Sequence, residues 1–172
     1  MHTKRTIAEL GRMTEEEFHE AEKRQVIAVL DNVRSQYNVG AVYRTADAFR
    51  IAGVWLCGIC PGPENVEVHK TALGAERTVD TRQFERTEDA VEELHKMGYT
   101  VYAVEQAHES IDLEEVPANK NGIAVIFGHE VFGVQQSVVD AADGCIEIKQ
   151  YGTKHSLNVS TTAGIVLYEL TK

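Results

Sequence analysis

The sequence predicts an α/β domain built on a mostly parallel β-sheet with helices on both faces. Short continuous apolar runs alternate along the chain with segments of helical periodicity, which is the pattern of successive βα units. No internal repeat, low-complexity stretch or linker interrupts this alternation. A chain of 172 residues with 43% hydrophobic residues can bury one full core, so we expect one domain over residues 1–172.

The composition narrows the class of protein. Residues 1–12 lack a signal-peptide pattern and no long apolar run is present, so we expect a cytoplasmic protein with no membrane partner. The formal net charge of −10 argues against a chain that binds nucleic acid over its whole surface, although a local basic site remains open. Cys57 and Cys60 form a C-x-x-C pair without the further ligands of a zinc site, so both are interpreted as buried structural thiols.

The N-terminal part contains a leading segment and a first βα unit. Residues 1–24 are expected to carry one helix, because Thr14 can cap it and a glutamate stands three positions further on. The apolar run 26–30 predicts a buried strand. Asn38 is expected to cap the helix that follows, and Gly53 is expected to end it.

The middle of the chain continues the alternation. The acidic segment 112–115 is expected to lie on the surface. Strands are predicted over residues 54–59, 79–84, 99–104 and 122–127, and helices over residues 69–75, 87–97 and 135–142.

The C-terminal part gives the first indication of a binding site. Residues 145–148 predict a strand, residues 149–155 a polar loop, and a helix is expected to begin at Ser156 or Asn158. A strand that leads through a polar loop into the free N–H groups of a helix suits a polar or anionic ligand.

Four such polar loops follow predicted strands, and parallel strands place their carboxyl ends at one edge, where ligands bind. The loops are residues 31–40, 105–110, 128–133 and 149–158. Together with the first turns of the helices they would offer Asn38, Arg44, Glu130, Ser156 and Asn158. The chain has no phosphate-binding P-loop, dinucleotide fingerprint, zinc-protease motif or nucleophile elbow. The residues alone therefore predict an α/β domain with a polar ligand site.

Three segments resemble the motifs of the SpoU (TrmH-type) RNA ribose 2'-O-methyltransferases, in the order that the family has them. Residues 38–49 (NVGAVYRTADAF) resemble the first motif, residues 127–133 (FGHEVFG) the second, and residues 148–164 the third. The segment 70–75 (KTALGA) also fits the family. The resemblance covers about residues 26–170.

The resemblance implies a SPOUT fold whose C-terminal part is tied into a deep trefoil knot. It implies S-adenosyl-L-methionine bound in that knot, a homodimer with its sites near the interface, and methyl transfer to a ribose 2'-hydroxyl of RNA, with tRNA preferred over rRNA. The chain is expected to lack the separate N-terminal RNA-binding domain that some relatives carry, so RNA selection would fall to local basic patches. Candidate cations for these patches are Lys4, Arg5, Lys23, Arg24, Lys70, Arg77, Lys149 and Lys154.

The resemblance also implies roles for individual residues. Glu105 would lie beside the cofactor, Glu130 would brace the loops, and Asn38 with Ser156 would order the acceptor. The implied cofactor-binding set is Glu105, Gly128, His129, Ile148, Ser156 and Leu157. The implied catalytic set is Arg44, Asn38, Glu130, Ser156 and Asn158.

Arg44 would be the central catalytic residue, and two roles remain open for it. It could accept the proton of the ribose hydroxyl, or it could stay charged, stabilise the developing oxyanion and orient the RNA phosphate. An ordinary guanidinium is a poor base near neutral pH, so we favour the second role.

The chain departs from the family pattern at two positions. His129 stands where the family usually has Asn and is expected to change the hydrogen bonds that hold Glu130, and Lys149 stands where it usually has Pro. Two other functions stay open. One is a paralogue that binds S-adenosylmethionine and RNA without catalysis, and the other is a methyltransferase with a non-RNA acceptor.

Overall fold

A computed structural model describes residues 2–172. The strands are β1 (Arg24–Asp31), β2 (Ile51–Cys57), β3 (Thr81–Phe84), β4 (Thr100–Val104), β5 (Ile111–Asp112), β6 (Ile123–Phe127) and β7 (Gly144–Glu147). They form one sheet in the order β3-β2-β1-β6-β4-β7-β5, and every neighbouring pair is parallel. The predicted parallel sheet is confirmed, and all carboxyl ends of its strands lie at one edge.

Helices cover both faces of this sheet. They are α1 (Glu15–Glu20), α2 (Gln36–Phe49), α3 (Val66–Ala72), α4 (Ala75–Thr78), α5 (Thr87–Lys96), α6 (Gln136–Ala141) and α7 (Val159–Thr171). Alternate residues of β1 face opposite layers: Ala28 and Leu30 pack with α2, α3 and α7, whereas Ile27 and Val29 pack with α5 and α6. Because both faces of the strand are buried, it reads in the sequence as a continuous apolar run.

The helix predicted in the leading segment is present as α1. The Thr14 side chain accepts a hydrogen bond from the Glu17 backbone N–H, and the Glu17 carboxylate accepts one from the Thr14 N–H, which is the predicted capping box. Phe18 is buried in the core, and Glu15 forms an ion pair with Arg77 of α4 at 2.8 Å. The leading helix is therefore attached to the layer of helices α2, α3 and α4 on one face of the sheet.

The predicted ends of α2 are wrong. The Ser35 hydroxyl caps the helix by accepting the Asn38 backbone N–H, so α2 begins two residues before Asn38. The helix ends at Arg50, whose backbone is left-handed (φ 52°) and whose N–H bonds to the last carbonyls. Gly53 lies inside β2, which runs from Ile51 to Cys57 instead of over residues 54–59.

Two further segments differ from the sequence predictions. The helix predicted over residues 69–75 is two helices, because Leu73 and Gly74 both take positive φ between α3 and α4. In the acidic segment 112–115, Glu114 and Glu115 are exposed as predicted, but Leu113 is buried and Asp112 belongs to β5, an unpredicted two-residue strand at the edge of the sheet. Such a short strand carries no periodicity that the sequence could reveal. Within residues 2–172 no helix is long and apolar enough to cross a membrane.

Candidate active site

A cavity of about 530 Å³ lies at the carboxyl edge of the sheet. Its walls come from the loops that follow β4, β6 and β7 and from the start of α7. Three of the four predicted loops therefore converge there, and the fourth, after β1, reaches the site through hydrogen bonds to Glu130. Six of the predicted residues line the cavity together with Glu130 and Asn158. These six are Glu105, Gly128, His129, Ile148, Ser156 and Leu157.

Glu130 joins the loop after β6 to the start of α2. Its Oε2 accepts the Arg34 backbone N–H at 3.1 Å, and its Oε1 accepts the Ser35 N–H at 2.8 Å and the Asn38 Nδ2 amide at 3.1 Å. Partial burial raises the pKa of Glu130, but hydrogen bonds from the backbone N–H groups and from Asn38 outweigh that effect, so the pKa is lowered. The ionised carboxylate is thus the form that holds the two segments together.

Asn38 extends this network to the last helix. It is only 4% exposed, and its Oδ1 accepts a hydrogen bond of 3.2 Å from Asn158 Nδ2. The Asn158 Oδ1 in turn accepts hydrogen bonds from the N–H groups of Ser160 and Thr161 and so caps α7. Of the two predicted starts of this helix, Ser156 and Asn158, the structure therefore has the second. One chain of side chains, from Glu130 through Asn38 to Asn158, therefore connects all three motifs.

The loop after β6 forms a closed turn. His129 and Gly133 exchange backbone hydrogen bonds of 3.0 and 2.8 Å. The His129 Nδ1 accepts the Val131 N–H at 3.0 Å, and within residues 2–172 the imidazole makes no direct hydrogen bond to Glu130. Gly128 is required because a Cβ there would lie 2.1 Å from the Gly133 carbonyl carbon.

The carboxylates of Glu105 and Asp31 hold the residues that follow this turn. The Glu105 Oε1 accepts the Val134 N–H at 2.6 Å. Asp31, which is fully buried at the end of β1, accepts the Gln135 N–H at 2.8 Å and the Thr87 hydroxyl at 2.6 Å. Sequence reasoning assigned no role to Asp31, although a carboxylate that directly follows a buried strand is a signal that could have singled it out.

The loop after β7 contacts the loop after β4. The Gln106 side chain donates a hydrogen bond of 2.6 Å to the His155 carbonyl. Lys149 forms an ion pair with Asp112 of β5, so a carboxylate of the same chain partly screens its charge. Lys70 and Arg77 are likewise paired, with Glu67 and Glu15. Three of the cations proposed for an RNA patch are therefore partly screened.

Arg44 does not line the cavity. It lies on the exposed side of α2 in a second depression of about 600 Å³, together with Tyr37, Lys70 and Gly164 of α7. Asn38 and Arg44 are six positions apart, which is about 9 Å along a helix and turns the two side chains to different sides. Within one chain, the structure thus brings together Asn38, Glu130 and Asn158 but leaves Arg44 apart from them.

The structure defines a parallel α/β domain with one polar cavity built from the loops at the carboxyl edge of its sheet. The model of the SpoU rRNA Methylase family matches residues 25–168, and the chain belongs to that family. Among curated relatives, it is 31% identical to the tRNA (guanosine(18)-2'-O)-methyltransferase of Thermus thermophilus, over 96% of this chain and 84% of that protein. The enzyme of the same name from Aquifex aeolicus is also 31% identical, over 86% of this chain and 70% of that protein.

Solved structures confirm the fold class. The AdoMet-bound rRNA methyltransferase of Sinorhizobium meliloti superposes with a TM-score of 0.80 at 26% identity, over 87% of this chain. This chain spans 56% of that protein. The A. aeolicus TrmH/SpoU tRNA modifying enzyme gives a TM-score of 0.80 at 28% identity, over 91% of this chain and 79% of its own length.

Proposed function

We propose that this chain is an S-adenosylmethionine-dependent methyltransferase that acts on a ribose 2'-hydroxyl of RNA, with tRNA as the preferred acceptor. The carrying observation is the network from Glu130 through Asn38 to Asn158, which connects the three family motifs beside the cavity. Membership of the SpoU family supports the same reaction, and the named activities of the Thermus and Aquifex relatives support tRNA as the acceptor.

The cavity fits S-adenosylmethionine in size and chemistry. Its volume lies in the usual range for a small-molecule site. Apolar side chains such as Ile148 and Leu157 offer a surface for the adenine, and the carboxylates of Glu105 and Glu147 place negative charge where a cationic cofactor would lie. The bound cofactor would supply an electrophilic methyl group. Its proposed contacts are Glu105, Gly128, His129, Ile148, Ser156 and Leu157.

Arg44 is the proposed catalytic cation. It is exposed, and within residues 2–172 no carboxylate lies within ion-pair distance of it. A free guanidinium can bind an RNA phosphate and stabilise the oxyanion that forms as the 2'-hydroxyl loses its proton. Asn38 and Ser156 would order the acceptor, while Glu130 and Asn158 hold Asn38 in place.

We further propose a homodimer in which Arg44 serves the cavity of the partner subunit. Arg44 lies outside the cofactor cavity of its own chain, so a second chain is needed to complete the site. The face formed by α2 and α7 also exposes the apolar side chains of Tyr37, Ile165 and Tyr168, of which Tyr168 is 58% exposed. Contact between two such faces would cover these side chains and bring each Arg44 towards the opposite chain.

The C-terminal part is proposed to be knotted, and residues 2–172 to form one domain with the leading helix. After β7 the chain contacts the loop that follows β4 through Gln106 and His155. The chain then returns as α7 to pack against α2 and β1 on the other side of the sheet centre. This path supports a thread through the loop, as the SPOUT fold requires.

Calorimetry with S-adenosylmethionine and a methyl-transfer assay on separate pools of unmodified tRNA and rRNA test the proposal. Transfer to tRNA that exceeds transfer to rRNA is expected. Cofactor binding without transfer to either RNA would favour the non-catalytic paralogue. Cofactor binding without any RNA binding at low salt would favour a non-RNA acceptor.

A further inference from the structure

We propose that His129 is a positioning residue whose imidazole shapes one wall of the cofactor cavity as a hydrogen-bond acceptor, so that protonation of this ring weakens cofactor binding. The inference rests on the proposed function, because it concerns the same cavity. It assigns to this chain a pH-dependent affinity that the usual Asn at this position would not produce.

Two backbone N–H groups of the turn donate hydrogen bonds to the His129 side chain. The His129 Nδ1 lies 3.0 Å from the Val131 nitrogen and 3.4 Å from the Phe132 nitrogen, and both backbone groups donate to it. An imidazole nitrogen that accepts hydrogen bonds carries no proton, so the ring proton must be on Nε2. The ring also stacks on the exposed Phe132, with centroids 4.9 Å apart.

This contact explains why histidine can stand where asparagine is usual. In an Asx turn, the side-chain oxygen of an Asn accepts a hydrogen bond from the backbone N–H of the residue two positions later. Nδ1 of His129 accepts the N–H of Val131, which is also two residues on. An Asn at this position would make the same hydrogen bond, but only the imidazole can lose its acceptor by gaining a proton.

Protonation would place an N–H donor against the donors of the turn. The hydrogen bonds to Val131 and Phe132 would be lost, and the turn would have to rearrange. All six residues from Gly128 to Gly133 line the cavity, so a rearranged turn changes its wall. It would also move Glu130, which holds the start of α2.

Other titratable groups surround the turn. Glu105 is bonded to the Val134 N–H below it, Glu130 belongs to it, and Arg34 meets Glu130 through its backbone N–H. Glu147 and His155 line the cavity on the side of β7 and α7. His155 is the other imidazole at the cavity, so a test must separate it from His129.

Calorimetric titration with S-adenosylhomocysteine, at about pH 8 and about pH 5.5, tests the proposal on either side of the range in which imidazoles titrate. The unaltered protein is expected to lose roughly tenfold in affinity at the lower pH, the effect of about 1.4 kcal/mol in lost hydrogen bonds. His129→Asn should show the same affinity at both pH values, whatever its level. His129→Ala should bind weakly at both.

His155→Asn is the matched control and should keep the decline in affinity. A pH-independent affinity in the unaltered protein, or an equal decline in His129→Asn, would overturn the proposal. Absence of binding at any pH would overturn the proposed function itself. A nitrogen NMR spectrum of the ligand-free protein at the higher pH gives an independent readout, because a proton on Nδ1 of His129 would overturn the inference whether or not the cofactor binds.

Discussion

Arg44 is separated from the cofactor cavity of its own chain, yet it is the central catalytic residue of the proposed reaction. Arg44→Ala removes the only charge proposed to stabilise the ribose oxyanion, so methyl transfer should fall by at least about a hundredfold. Cofactor affinity should stay unchanged, because Arg44 does not line the cavity. Steady-state kinetics and calorimetry on the same preparation measure the two effects.

Arg44→Lys separates the two proposed roles of the guanidinium. Lysine keeps the positive charge but loses the planar fork that binds a phosphate through two hydrogen bonds. Partial activity with a raised Michaelis constant for RNA would favour the charged, orienting role. Full activity in Arg44→Ala would contradict both roles.

Glu130 should make the stability of the folded protein depend on pH. Its pKa is lowered in the folded protein, so it contributes stability above its ordinary value of 4.5, and this contribution is lost as the pH falls through the lower folded-state value. Glu130→Gln should therefore lower the unfolding temperature at neutral pH and flatten its decline from about pH 5 downwards. Scanning calorimetry over this range measures both.

Glu22→Gln is the matched control for Glu130→Gln. Glu22 is exposed and has no side-chain hydrogen bond or ion pair among residues 2–172. Its substitution should leave the pH profile of stability as it is in the unaltered protein. Equal profiles in the two variants would contradict the bracing role assigned to Glu130.

The sequence predicted part of the site, and the misses have physical causes. Asn38, Glu130 and Asn158 were predicted from the polar loops that follow the strands, the resemblance gave them roles, and they meet in one network. The cap at Ser35 was missed because both Ser35 and Asn38 are good N-cap residues, and only the folded backbone decides between them. The cluster around Asp31 was missed because its partners lie 56 and 104 residues away in the chain.

At the level of whole elements, the contact between α2 and α3 depends on a glycine. A Cβ on Gly40 would lie 1.8 Å from the Thr71 hydroxyl and 2.5 Å from the Val68 carbonyl oxygen. Gly40→Ala should destabilise the protein by about 1–3 kcal/mol, because overpacking outweighs the gain in helix propensity. Chemical denaturation measures the change.

Gly164 is the matched control on α7. An added Cβ there meets nothing within 4 Å, so Gly164→Ala should gain up to about 1 kcal/mol from helix propensity. If Gly40→Ala stabilised the protein as much as Gly164→Ala, the close packing of α2 on α3 would be contradicted.

The ends of elements were harder to predict than their existence. The chain leaves α2 through the left-handed Arg50, and left-handed residues other than glycine are uncommon, so the sequence favoured the nearby Gly53. Leu73 divides the segment 69–75 in the same way. Propensity marks where a helix prefers to stop, whereas packing against the sheet fixes where it does.

At the scale of the whole molecule, the proposed dimer predicts that the α2–α7 face is essential. Tyr168→Glu places a charge on the exposed apolar face and should give a monomer that has lost methyl transfer. Light scattering after size exclusion measures the mass. Ile7→Glu, on a still more exposed apolar residue of the leading segment, should remain a dimer.

A mixing experiment tests whether the site is shared. Gly128→Ala should disrupt the cofactor turn of one subunit while leaving its Arg44 intact. If Arg44 serves the partner's cavity, co-folded Gly128→Ala and Arg44→Ala subunits form heterodimers with one intact site, and activity returns. Two inactive variants that stay inactive when mixed would place Arg44 with its own cavity and contradict the proposal.

The alternation of strands and helices was enough to predict the fold class, but the strand order was not contained in it. β6 lies between β1 and β4 in the sheet, although its paired positions follow those of β1 by 97 residues in the chain, as Ile27 and Ala124 show. Such pairings depend on contacts between distant parts of the chain, which local periodicity does not encode. The resemblance to a known family supplied what periodicity lacked.

The central claim is tested most directly by incubating the purified protein with labelled S-adenosylmethionine and unmodified tRNA, then digesting the RNA to nucleosides. We expect label in a single 2'-O-methyl nucleoside, and its loss with Arg44→Ala. Label on a base, or no label in tRNA or rRNA although the cofactor binds, would contradict a ribose 2'-O-methyltransferase.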